Sequence, residues 1–335
     1  IELEYLDVNG SKITKKKKIK NIKPYGLGWI ELNEENSSQL QDNLRTCVKI
    51  RHNFEGFFPR FVSGNILRNY EDISLTHSYY DTSEDSSEDS IWKNPFPKKF
   101  YDSVLAIPFD SFFSETELAI YPNFVYAPTE LSFELYNSSG VLVEKCERTI
   151  ELANGDEKFM HIPLHEKFSS HKDTLINGMV KIICDAKGNI PARMKFGLNF
   201  IRSNKETNLP SNICFNAHVA NEKLIKKQGG FHWCPVFNSE NQKIYLHNTS
   251  FTKDKFSDAK INIELYRERD SEILKWDINL PYNGTMEVIK PMVNQIKKFL
   301  GEESGWIAFS CDTPFIKGYY ITDFDKGVIG ADHLY

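Results

Sequence analysis

The sequence predicts an all-β protein made of three homologous antiparallel β-sandwich modules in tandem. First, a hairpin-like pattern that begins at Leu131 recurs at Ile261, 130 residues later, and a third copy begins at Ile1. Second, turn dipeptides such as Asn-Gly and Ser-Gly separate segments in which apolar and polar residues alternate. Third, 13% of the residues are aromatic, which suits sheet packing, and long amphipathic helical patterns are nearly absent.

Composition excludes several other classes of protein. The chain has 335 residues, of which 40% are apolar and 26% are charged, which is usual for a globular protein and unlike a disordered or collagenous one. At about 150 residues per domain the length alone suggests two domains, and the repeat raises this to three. The net charge of −5 gives no electrostatic attraction to nucleic acid or to an anionic membrane. We therefore expect no nucleic-acid partner. No apolar run reaches the roughly 18 residues of a membrane helix, so we also expect no membrane span.

The six cysteines are dispersed and form no C-x-x-C pair, which argues against a zinc ribbon or a thioredoxin-like redox motif. We expect them to be mostly buried thiols. Such thiols favour a reducing compartment, but they do not fix the localisation.

Each copy of the repeat contains an antiparallel hairpin, in which two alternating segments flank a polar turn. In the second and third copies along the chain the dipeptides Asn154-Gly155 and Asn283-Gly284 then predict a second hairpin, because a type I′ turn needs positive φ, whereas Asn9-Gly10 is the turn of the first hairpin itself. The first strands are 1–5 (IELEY), 131–136 (LSFELY) and 261–266 (INIELY), and the second strands are 13–22, 141–150 and 272–280.

The features that follow the hairpin keep the same order in every copy. A short helical stretch (37–44, 170–176, 293–300) precedes a buried strand (47–50, 179–183, 306–309). The last element of each copy then carries a histidine, namely His77, His218 or His333. This order predicts modules over residues 1–81, 101–221 and 222–335, and the acidic, serine-rich and proline-containing stretch 82–100 is expected to be a solvated linker.

Opening strands precede the hairpin in modules two and three, at 104–109 with 117–123 and at 230–237 with 243–249. Module one begins directly with its hairpin, so we expect it to lack these opening strands. An exposed or borrowed sheet edge beside the hairpin that begins with residues 1–5, and self-association through the incomplete module, would follow. Spacing and turn pattern indicate sandwiches of immunoglobulin-like type, and the modules resemble bacterial immunoglobulin-like or fibronectin-like repeats in this pattern alone.

The three repeated histidines are the strongest candidates for a metal site. If the modules pack around a pseudo-threefold axis, His77, His218 and His333 could converge on a zinc or iron ion, with Asp81 and Asp332 as carboxylate partners. In a linear array they would instead lie a module apart, far beyond the roughly 2 Å of a metal bond, and would be structural residues. We favour the structural role and keep convergence as the alternative.

Binding is the function that the sequence favours. Phosphate-loop, dinucleotide, nucleophile-elbow and H-E-x-x-H motifs are all missing, and no cofactor is expected apart from the alternative metal. Exposed aromatic rings on sandwiches stack on sugars, so Tyr79, Trp92, Trp233 and Tyr320 are candidate ligand-binding residues, with core packing as the competing role. We therefore predict a non-catalytic protein that binds a glycan or a protein or forms a surface assembly. The alternative is a metal-dependent enzyme with a three-histidine site.

Overall fold

The structure is a computed structural model, and the prediction of an all-β protein is confirmed. Strands arranged in several antiparallel sheets make up most of it. It describes residues 1–6, 12–16, 22, 26–32, 47–52, 61–66, 73–77, 91–92, 103–106, 115–120, 129–152, 159–174, 177–186, 190–191, 194–201, 211–217, 229–237, 241–249, 258–323 and 329–335. The predicted helix at 37–44 and most of the predicted linker lie outside these ranges. We refer below to an N-terminal unit (1–77), a middle unit (103–217) and a C-terminal unit (230–335).

The N-terminal unit contains a three-stranded sheet in the order β2-β1-β3 and a separate hairpin, β4-β5. β1 is the central strand, and among the described residues β3 pairs with β1 alone. A short strand, β6, follows this unit and pairs with β13 of the middle unit. The strands are β1 (Glu2–Leu6), β2 (Lys12–Lys16), β3 (Cys47–Arg51), β4 (Val62–Ile66), β5 (Ile73–His77) and β6 (Ile91–Trp92).

The middle unit has two four-stranded sheets, in the orders β10-β9-β12-β7 and β11-β8-β14-β15. A four-residue helix, α1 (Leu164–Lys167), and a 3₁₀ turn at Ser169–Thr174 occupy the helical stretch that the sequence predicts near 170–176. The strands are β7 (Ser103–Ala106), β8 (Glu115–Ile120), β9 (Thr129–Tyr136), β10 (Leu142–Leu152), β11 (Met160–Pro163), β12 (Met179–Ala186), β13 (Ile190–Pro191), β14 (Met194–Ile201) and β15 (Ser211–Ala217).

The C-terminal unit also has two four-stranded sheets, in the orders β16-β21-β18-β19 and β20-β17-β22-β23. A 3₁₀ turn at Lys290–Met292 leads into the predicted helix, α2 (Val293–Leu300), whose Ile296 and Leu300 are buried. The strands are β16 (Gly230–Val236), β17 (Gln242–Asn248), β18 (Ala259–Arg267), β19 (Ile273–Leu280), β20 (Thr285–Glu287), β21 (Gly305–Cys311), β22 (Ile316–Asp323) and β23 (Ile329–His333).

The middle and C-terminal units have the same strand order. The first sheets correspond strand by strand, β10-β9-β12-β7 to β19-β18-β21-β16. The second sheets correspond in the same way, β11-β8-β14-β15 to β20-β17-β22-β23. The register agrees as well, since Leu135 lies opposite Val180 and its sequence counterpart Leu265 lies opposite Ile307. In the N-terminal unit, β2-β1-β3 repeats the order of β10-β9-β12.

A hydrophobic core lies between the two sheets of the C-terminal unit. Side chains alternate across each strand, so one face of β18 contributes Ile261, Ile263 and Leu265 to this core. The facing sheet contributes Ile244 and Leu246, and these residues belong to the same buried cluster. The opposite face of the first sheet is turned outward and carries the candidate ligand site described below.

One predicted turn connects different strands from those expected. Asn283 has a positive φ of 55°, as an Asn-Gly turn requires. The strand after it, β20, pairs with β17 and not with β19, so the chain crosses to the second sheet instead of closing a hairpin. The predicted second hairpin at Asn283 and Gly284 is therefore wrong, because a turn dipeptide fixes local backbone geometry but not the strand that pairs next.

The second sheet of the C-terminal unit packs on both faces. The side chains of Tyr245 and Tyr319 do not belong to the core of the C-terminal unit. They pack into the hydrophobic cluster of the middle unit. The backbone N–H of Thr285 donates to the carbonyl of Ser138, which joins a turn of the C-terminal unit to the β9–β10 turn. The two units therefore share a packed junction.

The closing strands of the three units meet. β15 lies against both β5 and β23, and β5 also contacts β23. This arrangement brings residues from the ends of the N-terminal and C-terminal units together. The longest helix in the described part of the chain has eight residues, and none there is long and apolar enough to cross a membrane.

Candidate ligand-binding face and histidine cluster

An exposed aromatic face covers the outer side of the sheet β16-β21-β18-β19. We define it by Phe231, Trp233, Tyr266 and Trp306. Alternation turns Cys234 and Val236 of β16 into the core and leaves Phe231 and Trp233 outside, 59% and 42% exposed. Trp306, 43% exposed, stacks on Tyr266 of the neighbouring strand with centroids 4.1 Å apart and planes 7° from parallel.

Strand register fixes the spacing of these rings. Trp233 lies opposite Ala308, and Trp306 lies two residues before Ala308 in β21, which places the two tryptophans on a diagonal of about 7–8 Å between Cα atoms. Phe231 and Trp233 are next neighbours on one face of β16, about 6.7 Å apart along the strand. Ala308, which lies between Trp233 and Glu264, is only 3% exposed, so the larger side chains around it cover the sheet at this position.

Polar groups occupy the positions between the rings. Across the sheet, Glu264 lies in register with Trp233, and Ser310 and Asn262 lie in register with Phe231. Ser310 and Asn262 are both exposed. Glu264 accepts hydrogen bonds from Lys275 Nζ at 2.5 Å and from the Tyr266 hydroxyl at 2.5 Å. These two bonds hold the pKa of Glu264 below its usual value. The carboxylate and the ammonium therefore neutralise each other within the face.

Tyr335 joins the aromatic face to the end of the chain. Its backbone exchanges two hydrogen bonds with that of Trp233, at 3.0 and 3.1 Å, and the two rings stack with centroids 5.1 Å apart. Its hydroxyl donates to Asp332 Oδ2 at 2.7 Å. Burial, and secondly this bond, raise the pKa of Tyr335 to about 12, so the hydroxyl remains a donor at neutral pH.

Two of the three repeated histidines are in direct contact. His77, at the end of β5, and His333, at the end of β23, have their Nε2 atoms 3.2 Å apart. The rings are nearly perpendicular, at 81°, with centroids 5.4 Å apart. Asp332 Oδ1 lies 3.8 Å from His333 Nε2, and one ligand atom from each of the three residues falls within 4.8 Å of the others. We call His77, Asp332 and His333 the histidine cluster.

The backbone orients His333. Its Nδ1 lies 2.9 Å from the carbonyl oxygen of Leu334. A carbonyl oxygen only accepts hydrogen bonds, so Nδ1 carries the proton and donates it. In the neutral ring Nε2 is then an acceptor, and it lies 3.2 Å from Nε2 of His77. Asp332 is fixed at the same time, since its Oδ1 accepts from the backbone N–H of His333 at 2.8 Å.

The other predicted site residues have different outcomes. His218, Tyr79 and Asp81 lie outside the described residues, as does the side chain of Trp92 in β6. Tyr320 is half-buried and packs against the core of the C-terminal unit, where burial raises its pKa. Trp233 is exposed on the aromatic face.

The aromatic face also includes residues that the sequence did not single out. The sequence pattern predicts a buried strand at Trp306 and the first strand of a hairpin at Tyr266. The signal that could have identified them is register: aligning 261–266 with 306–309 as neighbouring strands places Tyr266 opposite Trp306. Phe231 could have been found from alternation with Trp233 in the same strand.

Comparison with known proteins adds no family. No protein-family model matches the chain, and no curated protein does. Among solved structures, the crystal structure of Parabacteroides merdae β-glucuronidase is similar over 76% of this chain and 32% of that chain, with 8% sequence identity and a TM-score of 0.17. The chain thus spans about a third of that structure. A likeness at this TM-score carries no argument about fold or function.

Proposed function

We propose that this protein is a non-catalytic, multi-module β-sandwich protein of immunoglobulin-like type, and that its aromatic face binds a neutral glycan. The modular part of the proposal is supported by the shared strand order of the middle and C-terminal units. The binding part depends on one observation, which is the set of exposed, separated rings of Phe231, Trp233 and Trp306 on a single sheet face.

Sugar rings have apolar C–H faces and polar edges, and the face offers a partner to both. Aromatic rings contact the C–H faces, and Asn262, Ser310 and Glu264 lie where they can exchange hydrogen bonds with hydroxyl groups. Because Lys275 neutralises Glu264 within the face, the site has no local excess of one charge at this point. A neutral ligand therefore fits better than an acidic polysaccharide.

The experiment is affinity electrophoresis of the full chain through gels that contain a neutral β-glucan, xylan, mannan or galactan. We expect at least one polysaccharide to retard the protein. Trp233→Ala should weaken that binding about tenfold, the equivalent of about 1.4 kcal/mol for one aromatic contact. Trp306→Phe should weaken it less, because a ring that can stack on Tyr266 remains.

Trp29 supplies the matched control, since it is 65% exposed but belongs to the N-terminal unit. Trp29→Ala should leave the retardation unchanged. The proposal is wrong if no polysaccharide retards the protein, or if Trp29→Ala weakens binding as much as Trp233→Ala. Concentration-dependent self-association in sedimentation velocity that Trp233→Ala abolishes, without any retardation, would assign the face to protein contacts instead.

A further inference from the structure

We infer that the histidine cluster is a binding site for a divalent transition-metal ion, with zinc the best fit. The site goes beyond glycan binding and does not depend on it. It would link the last strand of the N-terminal unit to the last strand of the C-terminal unit through His77 Nε2, His333 Nε2 and a carboxylate oxygen of Asp332.

The separation of the two nitrogens suits a shared metal ion. Imidazole nitrogens about 2.0–2.1 Å from a tetrahedral zinc ion lie about 3.3 Å from each other. The Nε2 atoms of His77 and His333 are 3.2 Å apart. Their rings are nearly perpendicular with centroids 5.4 Å apart, so each ring presents its Nε2 edge to the other.

The surroundings of His333 match those of a metal ligand. A ligating histidine usually donates its other ring N–H to a carbonyl or carboxylate, which fixes the tautomer. His333 Nδ1 is 2.9 Å from the Leu334 carbonyl oxygen, which leaves Nε2 as the ligand atom. Asp332 is held by the hydroxyl of Tyr335 on its second oxygen, as ligating carboxylates commonly are.

The donor set indicates the class of metal. Two imidazoles and one carboxylate suit zinc and other first-row divalent ions, whereas calcium and magnesium prefer oxygen ligands alone. The cluster is partly accessible, with the His333 side chain 34% exposed, so a metal ion can enter from solvent. Three protein ligands leave a fourth tetrahedral position for water or another group.

The test titrates the full chain with metal alone. After treatment with a chelator and its removal, isothermal titration with Zn²⁺ should show one ion per chain, and Co²⁺ should give the intense visible absorption of a tetrahedral complex. His77→Gln and His333→Gln should each weaken Zn²⁺ binding by about 100-fold or more, the upper end of the loss seen when a residue that only supports a ligand is changed. Asp332→Asn should shift the Co²⁺ spectrum.

His171→Gln is the control. His171 is half-exposed and pairs with Glu144 in the middle unit, away from the cluster, so its loss should leave Zn²⁺ affinity unchanged. Circular dichroism of each variant checks that it folds. Absence of stoichiometric binding, or equal loss in His171→Gln and His333→Gln, would show that the two histidines form only a hydrogen-bonded pair. Failure of glycan binding would not affect this result, because the probe is the metal ion alone.

Discussion

Lys181 Nζ donates a hydrogen bond to Asn283 Oδ1, 3.3 Å away, and both residues are buried at the junction of the middle and C-terminal units. Asn283 also has a positive φ of 55°. One residue thus combines a special backbone conformation with a contact between two units, and substitutions can separate the two contributions.

Asn283→Ala should destabilise the protein more than Asn283→Gly. Both substitutions remove one hydrogen bond that a buried ammonium donates, and a hydrogen bond to a charged group contributes about 1.5–3 kcal/mol. Only alanine adds the cost of a left-handed backbone, about 1 kcal/mol. The free energy of unfolding in urea, followed by tryptophan fluorescence, measures the difference. Asn262→Ala, at an exposed strand position, is the control, and equal losses for the alanine and glycine variants at 283 would refute the backbone part.

Gly140 and Gly301 form a second matched pair. Both have positive φ, of 80° and 65°. A Cβ on Gly140 would lie 1.9 Å from the carbonyl oxygen of Tyr282 in the next unit, whereas one on Gly301 would come no closer than 3.9 Å to the Arg269 guanidinium. Gly301 also has a ψ of −124°, outside the left-handed α region, so Gly301→Ala should cost about 1–3 kcal/mol of unfolding free energy through the backbone alone. Gly140→Ala adds a clash with the carbonyl oxygen of Tyr282 and should cost more, and equal costs would show that the junction can shift to remove the clash.

The thiol of Cys47 should react slowly in the folded protein. Burial raises its pKa to about 12, with Lys49 lowering it only in part. Against an ordinary value near 9, the thiolate fraction at pH 8 falls about a thousandfold, so alkylation by iodoacetamide should slow in proportion. Below the pKa, each rise of one pH unit should increase the rate about tenfold. Peptide mass spectrometry measures the reaction site by site.

Cys146 serves as the comparison in the same experiment. It is half-buried, and burial also raises the pKa of its thiol, but it is more accessible than Cys47. Cys47 packs with Leu6, Ala119 and Phe159 where the N-terminal unit meets the middle unit. If Cys47 were alkylated as fast as Cys146, this contact would not persist in solution.

His218→Gln tests whether a third histidine takes part in the metal site. The sequence repeat predicts this role, and β15, the strand that ends at the residue before His218, packs against the strands that carry His77 and His333. We expect the substitution to weaken Zn²⁺ binding at least about tenfold. An unchanged affinity in the same titration would restrict the histidine ligands to His77 and His333.

The sequence located most strands because alternation and repetition are local signals. The segments 131–136 and 261–266 lie within β9 and β18, and residues 293–300 form the predicted helix. The sequence predicted less well which strands pair with each other. The turn at Asn283 was predicted correctly and its pairing wrongly, because the choice between two sheets depends on distant strands.

The site illustrates the same limit. Trp233 is a candidate because it is an aromatic residue in a strand, where alternate side chains face outward. The contact of His77 with His333 depends on how whole units pack against each other. Sequence periodicity predicts strands and turns but not this packing. Tyr320 shows the converse: the sequence places it in a strand, but the core that half-buries it is assembled from both sheets of the C-terminal unit.

The contact between His77 and His333 also has a consequence for how the chain reaches its final structure. The two residues are 256 positions apart, so this contact closes a loop of most of the polypeptide. Contacts of such range form late, because the intervening chain must be ordered first. During synthesis the N-terminal unit leaves the ribosome long before β23 has been made. Until then β5 lacks its contact with β23.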